Sequence, residues 1–218
     1  MVSSTVVIGI DVGGVRKGFH AVALSGGKYL TKTRASSAVD IDRWCGELRP
    51  SAVAIDAPCR WSADGRARPA ERALMAQRIS CFATPTRAAA ETHPKNYFGW
   101  MLAGAELYGL LEQRYALYDG RTGRADRPVC FETFPQAIAC AIAGERVSAK
   151  RKCTVRRALL QKVGVDTSAL TNIDTVDAAL CAWAAELFVR GATVAHGSAE
   201  SGFIVVPTTT PSLRATPP

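Results

Sequence analysis

The chain reads as an α/β fold, a mixed sheet with helices on both faces. Two observations lead there. Apolar runs of strand length stand at residues 5–12, 52–57 and 129–133, and longer stretches with helical spacing lie between and after them. The first three strands are joined by connections too short for a helix, whereas the later ones are separated by helices. An antiparallel meander should therefore lead into strands added in parallel through crossovers.

Taken in order, residues 5–12 form a buried strand, residues 19–24 a second and residues 29–34 a third, with Gly26-Gly27 as a two-residue hairpin signal between the last two. Residues 38–48 place Val39, Ile41, Trp44 and Leu48 at roughly helical spacing. The fourth strand, 52–57, is ended by Pro58, and a polar, Arg- and Gly-rich loop follows over 58–68. Pro69 suits the first turn of a helix that runs to about Ile79, and His93-Pro94 leads into a long apolar helix over 96–117. After a polar loop at 119–128 comes the fifth strand, then helices near 135–143, 151–163 and 173–190, and a further strand at 202–206. These elements make a single domain over residues 1–206, and the Pro- and Thr-rich residues 207–218 read as a flexible tail.

Composition narrows the classes. With 48% hydrophobic and 21% charged residues the chain can bury a sizeable core and is not a disordered polymer. No apolar run is long enough to span a membrane, and Met1-Val2-Ser3-Ser4 lacks the features of a secretion signal. Seven cysteines without CxxC spacing argue against a zinc site or a disulfide framework and suit reduced thiols, hence a cytoplasmic protein. A net charge of +8 favours polyanionic partners. Between Arg146 and Lys162 lie seven basic residues and no acid: either a solvated helix face or a phosphate-contacting surface, with Lys150 and Arg151 near its start.

The candidate chemistry rests on acids. Asp11 closes the first strand and precedes Gly13-Gly14, Asp56 closes the fourth, Glu132 ends the fifth, and Asp177 sits in an apolar helical stretch. An acid at the end of a buried element is costly unless compensated, and several meeting at one point can hold a divalent metal. Each also has a plain structural reading. Asp11 and Asp56 could bond turn amides, and Glu132 could face solvent from an edge strand. Asp174 could serve the helix dipole as an acidic first-turn residue after Thr171-Asn172. The charged cluster Arg66, Arg68 and Glu71 is either an exposed ion pair or a phosphate grip. His20, His93 and His196 form no ligand pair, and no Gly-x-Ser-x-Gly elbow occurs.

Five segments in order carry a family resemblance: Ile8-Gly9-Ile10-Asp11, Ile55-Asp56-Ala57-Pro58, Gly65-Arg66-Ala67-Arg68-Pro69-Ala70-Glu71, Phe131-Glu132-Thr133-Phe134-Pro135 and Asp174-Thr175-Val176-Asp177-Ala178-Ala179-Leu180-Cys181-Ala182. Over roughly residues 5–190 the chain resembles the family called domain of unknown function 429, predicted nucleases of the RNase H-like fold. The resemblance implies a three-layer fold with a five-stranded sheet in the order 3-2-1-4-5. It also implies an acidic centre of Asp11, Asp56, Glu132 and Asp177, with Asp174 as a further metal ligand.

The expected function is then a Mg²⁺- or Mn²⁺-dependent nuclease, with Arg66, Arg68, Lys150 and Arg151 on the phosphates of DNA or RNA. Two rivals stand beside it: a non-catalytic nucleic-acid-binding protein of the same fold, and a small-molecule phosphoryl-transfer enzyme suggested by Asp11-Val12-Gly13-Gly14. The aromatic-rich 96–117 helix makes a second copy of the chain a candidate partner.

Overall fold

The computed structural model describes residues 5–14, 16–121 and 127–208. Strands β1 (Val6–Val12), β2 (Phe19–Ser25) and β3 (Lys28–Ala35) form the antiparallel meander, and the Gly26-Gly27 turn takes positive φ at both glycines, 59° and 79°. That geometry matches the right-handed twist of the hairpin strands. Helix α1 (Ala38–Leu48) leads to β4 (Ala52–Asp56), which pairs in parallel with β1. Helices α2 (Pro69–Ala76), α3 (Arg87–Glu91) and α4 (Gly99–Leu111) follow, then the two-residue β5 (Ala116–Leu117) and β6 (Val129–Glu132), parallel to β4. The chain continues through α5 (Pro135–Ala143), α6 (Lys152–Lys162) and α7 (Ile173–Val189) to the hairpin β7 (Thr193–Ser198) and β8 (Gly202–Pro207).

The sheet runs β3-β2-β1-β4-β6-β8-β7, with β5 paired to β6. Its first five positions are the expected 3-2-1-4-5 order, and the β8-β7 hairpin extends it beyond β6. Helices cover both faces. On one, α1 and α4 pack over Ile8, Ile10, Val53, Ile55 and Cys130. On the other, α7 packs across β1, β2 and β4 with Val7, Ala52, Ala54 and Phe131 beneath it, flanked by α5 and α6.

Several boundaries differ from the sequence reading. The 96–117 helix stops at Leu111, and Ala116-Leu117 becomes an edge strand on β6. The apolar pattern carries on through Tyr115 without a Gly or Pro to mark the exit. Residues 193–198, which carry no strand pattern in the sequence, pair with β8, with His196 opposite Ile204. Pro207, the expected first residue of the tail, pairs with Thr193, and residues 209–218 lie outside the described residues. The expected loop at 119–128 lies partly outside them too.

One contact sets the position of α7. A Cβ on Gly9, in the middle of β1, would stand 2.0 Å from Ala182 N and 2.1 Å from Ala178 O on the helix backbone. Helix and strand therefore touch backbone to backbone, which only glycine permits. The helix side is made of small residues, Ala178, Ala179, Ala182, Ala184 and Ala185, all fully buried. Gly9→Ala should destabilise the fold by about 3 kcal/mol or more, at the top of the range for overpacking a core. Urea unfolding checks this, and an unchanged midpoint would contradict the close seating of α7.

Candidate acidic site

The acids converge because of register and helix phase. Asp11 and Asp56 are direct partners on the parallel strands β1 and β4, so their side chains leave the sheet on the same face. That face carries α7, whose first two turns bring Asp174 and Asp177 over the strand ends. Asn172 caps the helix by accepting from Thr175 N at 2.8 Å. Asp174 is thus left to pair with Lys17 at 2.9 Å, with His20 Nε2 3.9 Å away. A cavity of about 220 Å³ joins Asp11, Asp56, Asp174 and Asp177 with Lys17, Lys152 and Arg156.

The electrostatics are those of crowded, poorly hydrated carboxylates. Burial pushes the Asp11 carboxyl up to about 7, and the charges of Asp177 and Asp174 push the same way. Asp56 is raised well above the usual carboxylate range by burial and by its neighbours Asp11 and Asp177. Asp177 is also raised by burial, although Arg156 works against the shift through a 2.5 Å ion pair. Arg156 is itself buried and its other terminal nitrogen donates to Gln136 Oε1 at 2.8 Å. Four carboxylates face three cations around the cavity, which leaves a residual negative charge when all are ionised.

Glu132 takes the other face of the sheet. It is in register with Ile55, one residue before Asp56, so it leaves the sheet on the α4 face. There Arg68 holds it with two bonds, 2.5 Å to Oε1 and 2.9 Å to Oε2, and Cys59 N donates to Oε2 at 2.9 Å. Arg68 also reaches Glu71 Oε1 at 2.9 Å, and Glu71 accepts from Thr84 N and Thr84 Oγ1. Arg68, Glu71, Thr84 and Glu132 are all buried. The expectation that Arg68 grips a substrate phosphate is therefore corrected: its guanidinium is spent on two internal carboxylates. Strand parity puts Glu132 on the other face from Asp11 and Asp56, and Arg68 pairs it there, yet it lines one groove with Asp56 and its charge adds to the rise of the Asp56 carboxyl.

The remaining phosphate candidates stay at the surface. Arg66 is 86% exposed at its side chain, and Lys150 and Arg151 are exposed before α6. Sequence reasoning missed Lys17, His20, Lys152 and Arg156 as members of the acidic site. His20 is the antiparallel partner of Asp11, a pairing that only the hairpin register reveals. Arg156 stood in the basic stretch, but nothing in its local sequence marks it as the one that turns inward. Its neighbour Arg157 instead donates to the carbonyls of Thr167 and Leu170.

A hard divalent cation fits this donor set, which is all oxygen and under-compensated. Among the described residues no three acidic, imidazole or thiol groups meet closely enough to form a ready-made cage. Mg²⁺ commonly binds through one or two carboxylates and keeps waters or substrate phosphates as its other ligands, so the Asp11–Asp56 pair suffices as an anchor.

Two solved structures are similar to the chain. One is described as "Thermus thermophilus RuvC structure", at 17% identity and a TM-score of 0.46, covering 86% of this chain and 96% of that one. The other is "T. thermophilus RuvC in complex with Holliday junction substrate", at 15% identity and a TM-score of 0.45 with the same coverage. No curated protein matches. The family described as "Protein of unknown function (DUF429)" matches over residues 9–201, and the chain belongs to that family.

Proposed function

We propose that the protein is a metal-dependent phosphodiesterase acting on nucleic acid. The observation that carries this reading is the pair Asp11 and Asp56, adjacent in register and raised in pKa, beneath the helix turn that bears Asp174 and Asp177. Asp11 and Asp56 would hold Mg²⁺ or Mn²⁺, with Asp177 and Asp174 beside them. Bound there, the cation would supply Lewis acidity toward a phosphoryl oxygen and lower the pKa of a water.

The chain's own residues divide the rest of the work. Lys17 and Lys152 line the same cavity and place positive charge where phosphate oxygens would enter. Arg156, on the wall of the same cavity, fixes the orientation of Asp177. Arg66, Lys150 and Arg151 are exposed cations available to the flanking phosphate backbone. The Gly13-Gly14 turn does not favour the small-molecule phosphoryl-transfer alternative. Gly13 N donates to Gly18 O at 2.8 Å and so spends an amide that a phosphate-holding loop would offer.

Two outcomes test this. Purified protein with Mn²⁺ should cleave at least one of RNA, duplex DNA or branched DNA, and Asp11→Asn or Asp177→Asn should reduce cleavage to background while salt-sensitive binding persists. Full activity in either variant contradicts the mechanism, and binding without cleavage by the wild type would favour the non-catalytic alternative.

The second outcome concerns pH. Because Asp11 is raised to about 7 in the folded protein, the folded state holds a proton there that the unfolded chain releases near 4. Its contribution to stability is thus complete below about pH 4 and is lost as pH rises through 7. Without metal, the wild type should lose stability relative to Asp11→Asn over that window, as read by urea unfolding. Mg²⁺ must displace the same proton, so its stabilising effect on thermal unfolding should be larger at pH 8 than at pH 5.5 and absent in Asp11→Asn. Equal stabilisation at both pH values would contradict the assignment.

A further inference from the structure

A larger groove, about 880 Å³, adjoins the acidic cavity and shares Val12, Gly13, Lys17, Asp56, Phe134 and Lys152 with it as a common wall. Its far side is aromatic. Phe82 and Trp100 line it, and Phe82 is 54% exposed. Tyr97, 53% exposed, packs on Phe82 with ring centroids 6.0 Å apart, and Trp100 meets Phe82 edge-on at 6.4 Å. Exposed aromatic rings clustered beside a polar site mark a surface that meets a ligand.

The Phe82 segment is also held in place. Two residues on, Thr84 is fully buried and bonds Glu71 through both its N–H and its hydroxyl. Glu71 in turn is tied through Arg68 to Glu132 at the end of β6. Pro85 O accepts from Ser62 N at 3.1 Å, and Thr86 caps α3 by accepting from Ala89 N at 3.2 Å. The buried Arg68–Glu71–Glu132 network thus anchors an exposed ring within reach of the acidic site. A ring carried on a bonded segment costs little backbone entropy to order when something stacks on it.

We propose that this wall is a stacking platform for an unpaired nucleobase, with Phe82 as the principal ring, and that the protein accordingly acts on single-stranded or locally opened nucleic acid. The inference rests on the nuclease reading above and names its substrate class. Of the acids in the groove, Glu71 and Glu132 are already paired with Arg68, so the charges left on the wall shared with the acidic cavity are Asp56, Lys17 and Lys152. A phosphate held by the two lysines there puts the adjoining base in the groove. The base must be unpaired, because both faces of a base inside a duplex are already covered.

The test uses the full chain carrying Asp11→Asn, so that bound strands stay intact, with 2-aminopurine-labelled single-stranded DNA and RNA and the matching duplexes. Single strands should bind more tightly than duplexes and lose 2-aminopurine fluorescence on binding. Adding Phe82→Leu, an exposed substitution that keeps an apolar side chain, should weaken single-strand binding about tenfold and restore the fluorescence. Phe82→Trp should retain both, and the salt dependence of binding should be the same in all variants. Binding that is indifferent to Phe82→Leu, or a preference for duplex, overturns the platform and leaves the nuclease reading standing. Failure to bind any nucleic acid overturns both. A change of oligomeric state with Phe82→Leu, without a change in binding, would assign the aromatic wall to a second copy of the chain and overturn the platform as well.

Discussion

The close seating of helix α7 on strand β1 is the constraint on which the acidic site depends. Gly9 offers no side chain, and α7 answers with Ala178 and Ala182, so the two backbones meet. Asp177 is the neighbour of Ala178, and Asp11 lies two residues beyond Gly9 on the same face of the strand. The contact that packs the core therefore also fixes how closely the helix acids approach the strand acids. The resulting burial and repulsion raise Asp11 and Asp56, and Arg156 and Lys17 neutralise only part of the charge. A fold that keeps such a cluster carries a destabilising feature at the carboxyl ends of its parallel strands, where α/β sheets characteristically bind ligands.

Strand parity then sorts the charged residues into two groups with different work. Asp11 and Asp56 share one face, whereas Glu132, in register with Ile55, takes the other. On that second face Arg68 sits between Glu132 and Glu71 as a closed ionic network with its partners' lone pairs largely satisfied. Buried networks of this kind define geometry more than they add net stability. Here the geometry they define is that of the loop carrying Phe82, next to the acids. One group of carboxylates is left short of positive charge and the other is saturated.

The strand order and the placement of α1, α5, α6 and α7 were legible in the sequence, because period-two and helical patterns there agree with Gly, Pro and capping signals. Asp11, Asp56 and Asp177 stood out for the same reason, as charged residues at the ends of, or within, apolar runs. The sequence could not show that β6 is offset by one residue against β4, which turns Glu132 to the other face of the sheet from Asp56. Nor could it show that Arg68, at the start of an apparently exposed helix, is buried. Both depend on tertiary register and on side chains distant in the chain, 64 residues apart in the case of Arg68 and Glu132. The strand β7 escaped because Thr193, His196, Gly197 and Ser198 look like a loop until β8 supplies their partner. The aromatic wall was legible only in part, since Tyr97 and Trp100 lie in the aromatic-rich 96–117 stretch, whereas Phe82 joins them from a loop earlier in the chain.

The most direct test is crystallographic. Crystals grown with Mn²⁺ and measured at an energy where manganese scatters anomalously should show a peak in contact with the carboxylates of both Asp11 and Asp56, with Glu132 still held by Arg68. A peak on Glu132 instead, or none while the Arg156–Asp177 and Lys17–Asp174 pairs persist at saturating Mn²⁺, would contradict the account.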